Sequence, residues 1–291
     1  MSRPATGSQG PFLAAAPLSR THRLALGLEV IDALRDEPAD VRVAVENQPP
    51  PHRVPALTSL ASTVLYDPGI QLPHLPRGRR AGRFRLLFDE RTAPPVHLRV
   101  YDTARRYVPR RLEVPFAPLA TVLAEERSGA RPASRARRIA LFAGAAYGPQ
   151  GNATGLRGRV EDADGVPVRW ARVTARHPRQ GDVLGRAHGD DRGEFLLVLG
   201  APPELATPRD FTVQVLLDFA ATTRPGGSAG TDTDPLAGLP LERLPPTGSP
   251  DSVSDGTGLP PTYSVRVTVA ASLRLGRLVS PDAPFTLPEP E

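Results

Sequence analysis

Gly158-Arg-Val-Glu-Asp-Ala-Asp-Gly165-Val-Pro-Val-Arg-Trp-Ala-Arg-Val173, followed by Asp190-Asp-Arg-Gly193-Glu-Phe195-Leu, decides the fold. A strand ending at Asp162 enters a tight turn, where Gly165 supplies the positive φ such a turn needs. Pro167 starts the returning strand, with Ala171 and Val173 on its inward face. A second turn, Asp190 to Gly193, launches a strand led by Phe195, an expected core residue. The turn aspartates are of the type that accepts nearby backbone N–H groups. Trp170 falls on the face opposite Ala171 and Val173. It serves there either as a surface anchor for a partner or as a covered residue between domains.

Working outward, the same period of two recurs. Leu24, Leu26, Leu28 and Val30 alternate, as do Val41, Val43 and Val45. A weaker run spans Thr63 to Tyr66. Phe84, Leu86 and Phe88 alternate with outward Arg83 and Arg85. Val96, Leu98 and Val100 follow, then Leu112, Val114 and Phe116, and Ile139 to Phe142 adds a further strand. Past the quoted stretch, Phe211 to Phe219 and Tyr263 to Ala270 read as strands. Leu156 to Glu161, Val168 to Ala175 and Gly193 to Leu199 are the strands of the stretch itself. Residues 118–127 read as a short helix, with Pro118 at the first helical position. Residues 224–261, rich in Gly, Pro, Thr, Ser and Asp, read as a long mobile loop with few apolar anchors.

The two halves parallel each other. Asp32, Pro38 and Val43 are spaced much as Asp162, Pro167 and Val173 are, and Gly82-Arg-Phe84 parallels Gly193-Glu-Phe195. The expected architecture is all-β: two tandem β-sandwich domains, Ig-like or transthyretin-like, with a short helical connector. The divisions are an N-terminal arm (1–21), a first sandwich (22–117), a connector (118–153), and a second sandwich (154–291) carrying the 224–261 loop.

Residues 155–199 resemble the carboxypeptidase regulatory-like domain, a transthyretin-like β-sandwich of the prealbumin type. The resemblance implies the fold and a non-catalytic attachment rather than an activity. The chain departs from that family's pattern after the Phe195 strand, where Gly200 to Asp210 replaces a short link. As a whole the chain also resembles β-sandwich accessory proteins of phage-tail-like contractile particles.

Composition narrows the function. Pro (35) and Gly (26) make up 61 of 291 residues, which excludes long helices, since an interior Pro costs about 3 kcal/mol. There is no Cys, and all 36 basic residues are Arg, so disulfide scaffolds, thiolate metal sites, Schiff bases and Walker-type phosphate loops are excluded. No apolar run has the length of a membrane helix, and no signal-peptide core is apparent, so the chain is expected to be made in the cytoplasm. Residues 1–140 hold 22 Arg against 13 Asp and Glu, a net of +9, and residues 141–291 carry a net of −4. That asymmetry is compatible with a head-to-tail homo-oligomer and, in the alternative, with a monomer whose charges are both solvated.

Searches for chemistry return little. None of the six His residues has Glu three positions on, so no zinc site of the carboxypeptidase kind is expected, and no other cofactor is. Gly226-Gly-Ser228-Ala-Gly230 matches a serine-hydrolase pattern but lacks a helix former after it. The Asp162 and Asp190 turns lack the full oxygen set of a calcium loop. Arginine is dense at 77–85, 105–111 and 131–138. These runs read as solvated strand faces and a protein-contact surface rather than a nucleic-acid site, because aromatics are only 5% of the chain. Arg79, Arg80, Arg83, Tyr107 and Trp170 are the expected partner contacts. The expected function is a non-catalytic structural or adaptor protein working through protein–protein contacts in a larger assembly, such as a contractile injection particle. The alternatives are a carbohydrate or cell-surface ligand-binding module, which would expose a row of aromatics, and an enzyme accessory domain.

Overall fold

A computed structural model describes residues 22–46, 72–90, 92–129, 134–149, 151–200, 211–222, 236, 238–246 and 251–288. The N-terminal arm, the Thr63–Tyr66 run and the Gly226–Gly230 motif lie outside the described residues. The described chain is mostly β with one short helix. The first half holds β1 (Leu24–Asp32), β2 (Arg42–Val45), β3 (Arg83–Leu87), β4 (Val96–Tyr101), β5 (Arg110–Val114), α1 (Leu119–Ser128) and β6 (Ala136–Leu141). The second holds β7 (Gly155–Glu161), β8 (Arg172–Arg176), β9 (Val183–His188), β10 (Glu194–Val198), β11 (Thr212–Thr222), β12 (Leu241–Arg243), β13 (Tyr263–Arg274), β14 (Leu278–Val279) and β15 (Phe285–Thr286).

Alternation sets which faces are buried. Leu26, Leu28 and Val30 of β1, Phe84 and Leu86 of β3 and Ile139 of β6 meet Val43, Leu98, Leu112 and Val114 in one core. Val160, Phe195 and Leu197 meet Val173, Ala175, Val215, Leu217 and Phe219 in another. Each such side chain contributes about 1.5–3 kcal/mol by leaving water. The first core is fed by sheets of order β3-β1-β6 and β12-β5-β4-β2. The second is fed by β10-β7, extended by β14 and β15, and by β13-β11-β8-β9.

The strand pairings repeat from one half to the other. β1 pairs antiparallel with β3 and parallel with β6, while β7 pairs antiparallel with β10 and parallel with β14 and β15. β4 joins β2 and β5 as β11 joins β8 and β13, all antiparallel. Local bonds repeat too. Val30 N–H donates to Gly82 O at 2.7 Å, and Val30 O accepts from Ala39 N–H at 2.9 Å. Val160 bonds Gly193 and Val168 in the same way, both at 2.9 Å. Gly82 and Gly193 hold φ of 69° and 75°. A Cβ on Gly82 would stand 2.6 Å from the Val30 carbonyl oxygen, and one on Gly193 would crowd that of Val160 more closely still. Both turns are built as the residues predict: Asp162 Oδ1 accepts from the N–H groups of Asp164 and Val166, and Asp190 Oδ1 from those of Arg192 and Glu194.

Four expectations are corrected. The 168–175 strand begins instead at Arg172, because Trp170 takes a left-handed φ of 61° that interrupts it. Residues 136–141, assigned to the connector, form β6 and complete the first half's three-stranded sheet beside β1. Pro118 occupies the N-cap, one residue before the helix, with ψ of 153°. Residues 224–261 are not a single free loop: β12 pairs in parallel with β5, and Leu236, Leu239 and Leu244 are buried. β9 is a strand that the periodicity does not mark, and β14 and β15 are short strands beyond Tyr263–Ala270.

Candidate functional site

The junction of the two halves gathers much of the buried charge of the described residues. Arg110 shares its face of β5 with Leu112 and Val114, so its side chain enters the interior and is fully buried. Its Nε donates to Glu242 Oε1 at 3.2 Å and its Nη2 to Glu242 Oε2 at 2.7 Å. The carbonyls of Ala140 (2.8 Å), Ser254 (3.0 Å) and Val253 accept its remaining bonds. Arg172 of β8 donates to Glu242 Oε1 at 3.1 Å. Burial drives the Glu242 carboxyl toward protonation, but the two guanidinium groups outweigh it and hold its pKa below the usual value.

Other ties cross the same junction. Arg105 forks onto Asp191 at 3.0 and 3.1 Å and reaches Asp190 at 3.4 Å. Arg137 donates to the carbonyls of Pro245 and Pro246 at 3.0 and 2.6 Å. His188, stacked on Phe142 with ring centroids 3.9 Å apart, bonds Gly256 O through Nε2 at 2.9 Å. Burial, with Arg172 and Arg110 nearby, holds its imidazole well below its usual pKa, so the ring is neutral. Arginines of the basic half thus meet carboxylates of the acidic half within one chain, and part of the charge complementarity between halves is used internally.

The sequence-predicted contact residues divide. Trp170 is 2% exposed, in a small cluster with Ala44, Tyr101, Val108, Leu236 and Leu239. Of its two readings the covered one holds, and it offers no surface to a partner. Tyr107 is also buried. Its hydroxyl donates to Asp32 Oδ2 at 3.1 Å beside that of Tyr147 at 2.6 Å, and burial plus the Asp32 charge push its pKa up to about 12. Arg83 is exposed but paired with Glu29 at 2.8 Å. Arg79 and Arg80 are exposed at a turn lining an open cavity of about 210 Å³ with Asp40, Arg77 and Phe84. Asp40 is taken by Arg77 at 3.0 Å, while Arg79 and Arg80 have no ion pair among the described residues.

The reading of the arginine runs as solvated faces is corrected at Arg105, Arg110 and Arg137, all buried. Sequence reasoning missed Arg110, Glu242, Arg172 and His188. For Arg110 a signal existed: it keeps step with Leu112 and Val114. Among the described residues no group of three His, Asp or Glu side chains is placed to hold a metal ion, and no helix is long and apolar enough to cross a membrane.

No protein-family model matches the sequence, and no curated protein is significantly similar to it. Among solved structures, the Bacillus anthracis TIE protein is similar over 91% of this chain and 34% of its own, at 10% identity and a TM-score of 0.23. A leucine-rich repeat protein from Bacteroides thetaiotaomicron is similar over 92% of this chain and 27% of its own, at 10% identity and a TM-score of 0.21. The chain spans about a third or less of these proteins, and at such TM-scores the likenesses carry neither fold nor function to it.

Proposed function

We propose that the protein is a non-catalytic adaptor: two tandem β-sandwiches, clamped into one rigid unit, that present the Arg79–Arg80 turn to an acidic surface of a protein partner. The observation that carries this reading is the division of labour among the arginines. Arg105, Arg110, Arg137 and Arg172 are buried at the junction and tie the halves together. Arg79 and Arg80 stand outside, with no ion pair among the described residues, lining the 210 Å³ cavity. A rigid body that carries a cationic turn suits docking within a larger assembly made in the cytoplasm. The resemblance to accessory proteins of contractile particles names the assembly to look for.

Pull-down from the native host with mass spectrometry tests the reading. The wild-type chain is expected to recover several subunits of one particle, and Arg79→Glu with Arg80→Glu to lose them while melting unchanged. Recovery of no partner, or equal recovery by the charge-reversed chain, overturns it.

A further inference from the structure

We propose that the outer face of β8 and β9 holds one chloride ion between Arg172 and Arg186. Register places the residues. Arg172 lies opposite His188 and Thr174 opposite Arg186, while Val173, Ala175 and Ala187, which alternate with them, point into the second core. The four side chains therefore share the outward face. Residues 256–259 pack over part of that face and leave a small, solvent-open cavity of about 10 Å³ lined by all four.

The cavity carries unmet positive charge. Two buried guanidinium groups, Arg110 and Arg172, share the single carboxylate of Glu242. Arg110 is further satisfied by three carbonyls. Arg172 is not: of its five N–H donors only one on Nη2 reaches Glu242, and Nε and Nη1 have no partner among the described residues. The Tyr263 ring, 5.9 Å from its guanidinium carbon, offers only a π-face. Arg186 is half-buried and has no hydrogen bond or ion pair among the described residues. His188 is neutral and adds no charge. Asp218, opposite Thr174 on the neighbouring strand, is engaged by Arg176 and by the Thr268 hydroxyl at 2.7 Å. A water molecule would fill the space but leave the surplus cation uncompensated. An anion supplies both acceptor and charge.

Size selects the anion. The space between the side chains is small, about 10 Å³, which suits a compact halide better than the larger tetrahedral phosphate or sulfate. Chloride is the abundant halide and bromide its heavier probe.

Crystals of the full chain grown in sodium bromide are expected to show one anomalous bromine peak against the Arg172 guanidinium. In solution, replacing gluconate by chloride at a constant ionic strength of about 150 mM is expected to raise the melting temperature by about 5 °C, and bromide to act likewise. Arg186→Met, which leaves the Arg172–Glu242 bond in place, is expected to abolish that difference. Ordered water with no bromine peak at this position overturns the proposal, as does a chloride response of equal size in the Arg186→Met protein.

Discussion

The guanidinium of Arg110 and the carboxylate of Glu242 meet in a two-bond fork, 3.2 and 2.7 Å, although 132 residues separate them in the chain. Glu242 sits on β12, the strand that the second half lays along β5 of the first. One contact therefore fixes three things: the register of β12, the seat of the segment that carries it, and the docking of β8 through Arg172. A buried ion pair is weak as a source of stability but costly to break on one side, because the survivor is left charged and dry.

Removing one partner is accordingly expected to cost about 3–5 kcal/mol. Urea unfolding of Arg110→Met should show that loss. The Arg110→Met, Glu242→Leu double variant should recover part of it, with Arg172 left as the remaining uncompensated charge. Equal losses in the single and double variants would show that shape, not charge, holds the junction. Because the folded protein depresses the pKa of Glu242, its contribution is present above the unfolded value of 4.5 and is lost as pH falls below it. Glu242→Gln should therefore have a shallower acid limb than the wild type.

His188 gives a second pH signature. The folded state holds it neutral well below its usual value of 6.5, so the unfolded chain binds the proton first. Stability is full above about pH 6.5 and falls as pH drops below it, by up to about 1.4 kcal/mol per pH unit. Asp190 works in the opposite sense. Burial pushes it up to about 6, so it favours the folded state as pH falls from there toward 3.8. The comparison of wild type with His188→Gln isolates the histidine: the difference in stability between pH 7 and pH 5.5 should shrink in the variant. An unchanged difference would mean that the ring is charged in the folded protein.

What the sequence reveals and what it hides follow from the range of each interaction. Val173 and Phe195 are legible as core because alternation is local, and both are buried. Gly82 and Gly193 are legible because a turn with positive φ needs glycine whatever surrounds it. Arg110 is only half legible: its step with Leu112 and Val114 points it inward, but the partner that makes its burial tolerable, Glu242, lies far along the chain. β12 is hidden for a related reason. The four residues between Pro240 and Pro245 are too few to show a period, and Leu236, Leu239 and Leu244 find their contacts at residues far along the chain. Trp170 stays ambiguous from sequence because facing away from its own core is compatible with either solvent or a neighbouring sheet.

The paired glycines offer a test of the repeat. Gly82→Ala and Gly193→Ala each combine positive φ with a Cβ driven against a carbonyl oxygen, and each is expected to cost more than about 2 kcal/mol. Gly165→Ala has the same sign of φ, 79°, but meets nothing within 4 Å, so about 1 kcal/mol is expected there. Thermal unfolding of the three variants checks the order. If Gly165→Ala is the most damaging, close approach of the backbone does not set the requirement.

Trp170 sets the last expectation. Its indole is walled by Leu236 and Leu239, residues of the stretch whose composition reads as a free loop. Leu244 enters the first core, and Arg137 holds the carbonyls of Pro245 and Pro246. Cleavage needs a stretch of backbone released from its bonds, and residues 238–246 do not offer one. Limited proteolysis of the wild-type chain should therefore leave this stretch intact, including the bond after Arg243. Trp170→Ala empties the pocket under Leu236 and Leu239, at about 3–5 kcal/mol for a buried Trp. The segment then keeps β12 and Arg137 but loses its apolar seat, and trypsin should cut after Arg243 before the rest of the protein unfolds. Rapid cutting there in the wild type would show that β12 is not seated on β5 in solution. Slow cutting in both proteins would show that β12, Arg137, Leu244 and the Arg110–Glu242 fork hold it without Trp170.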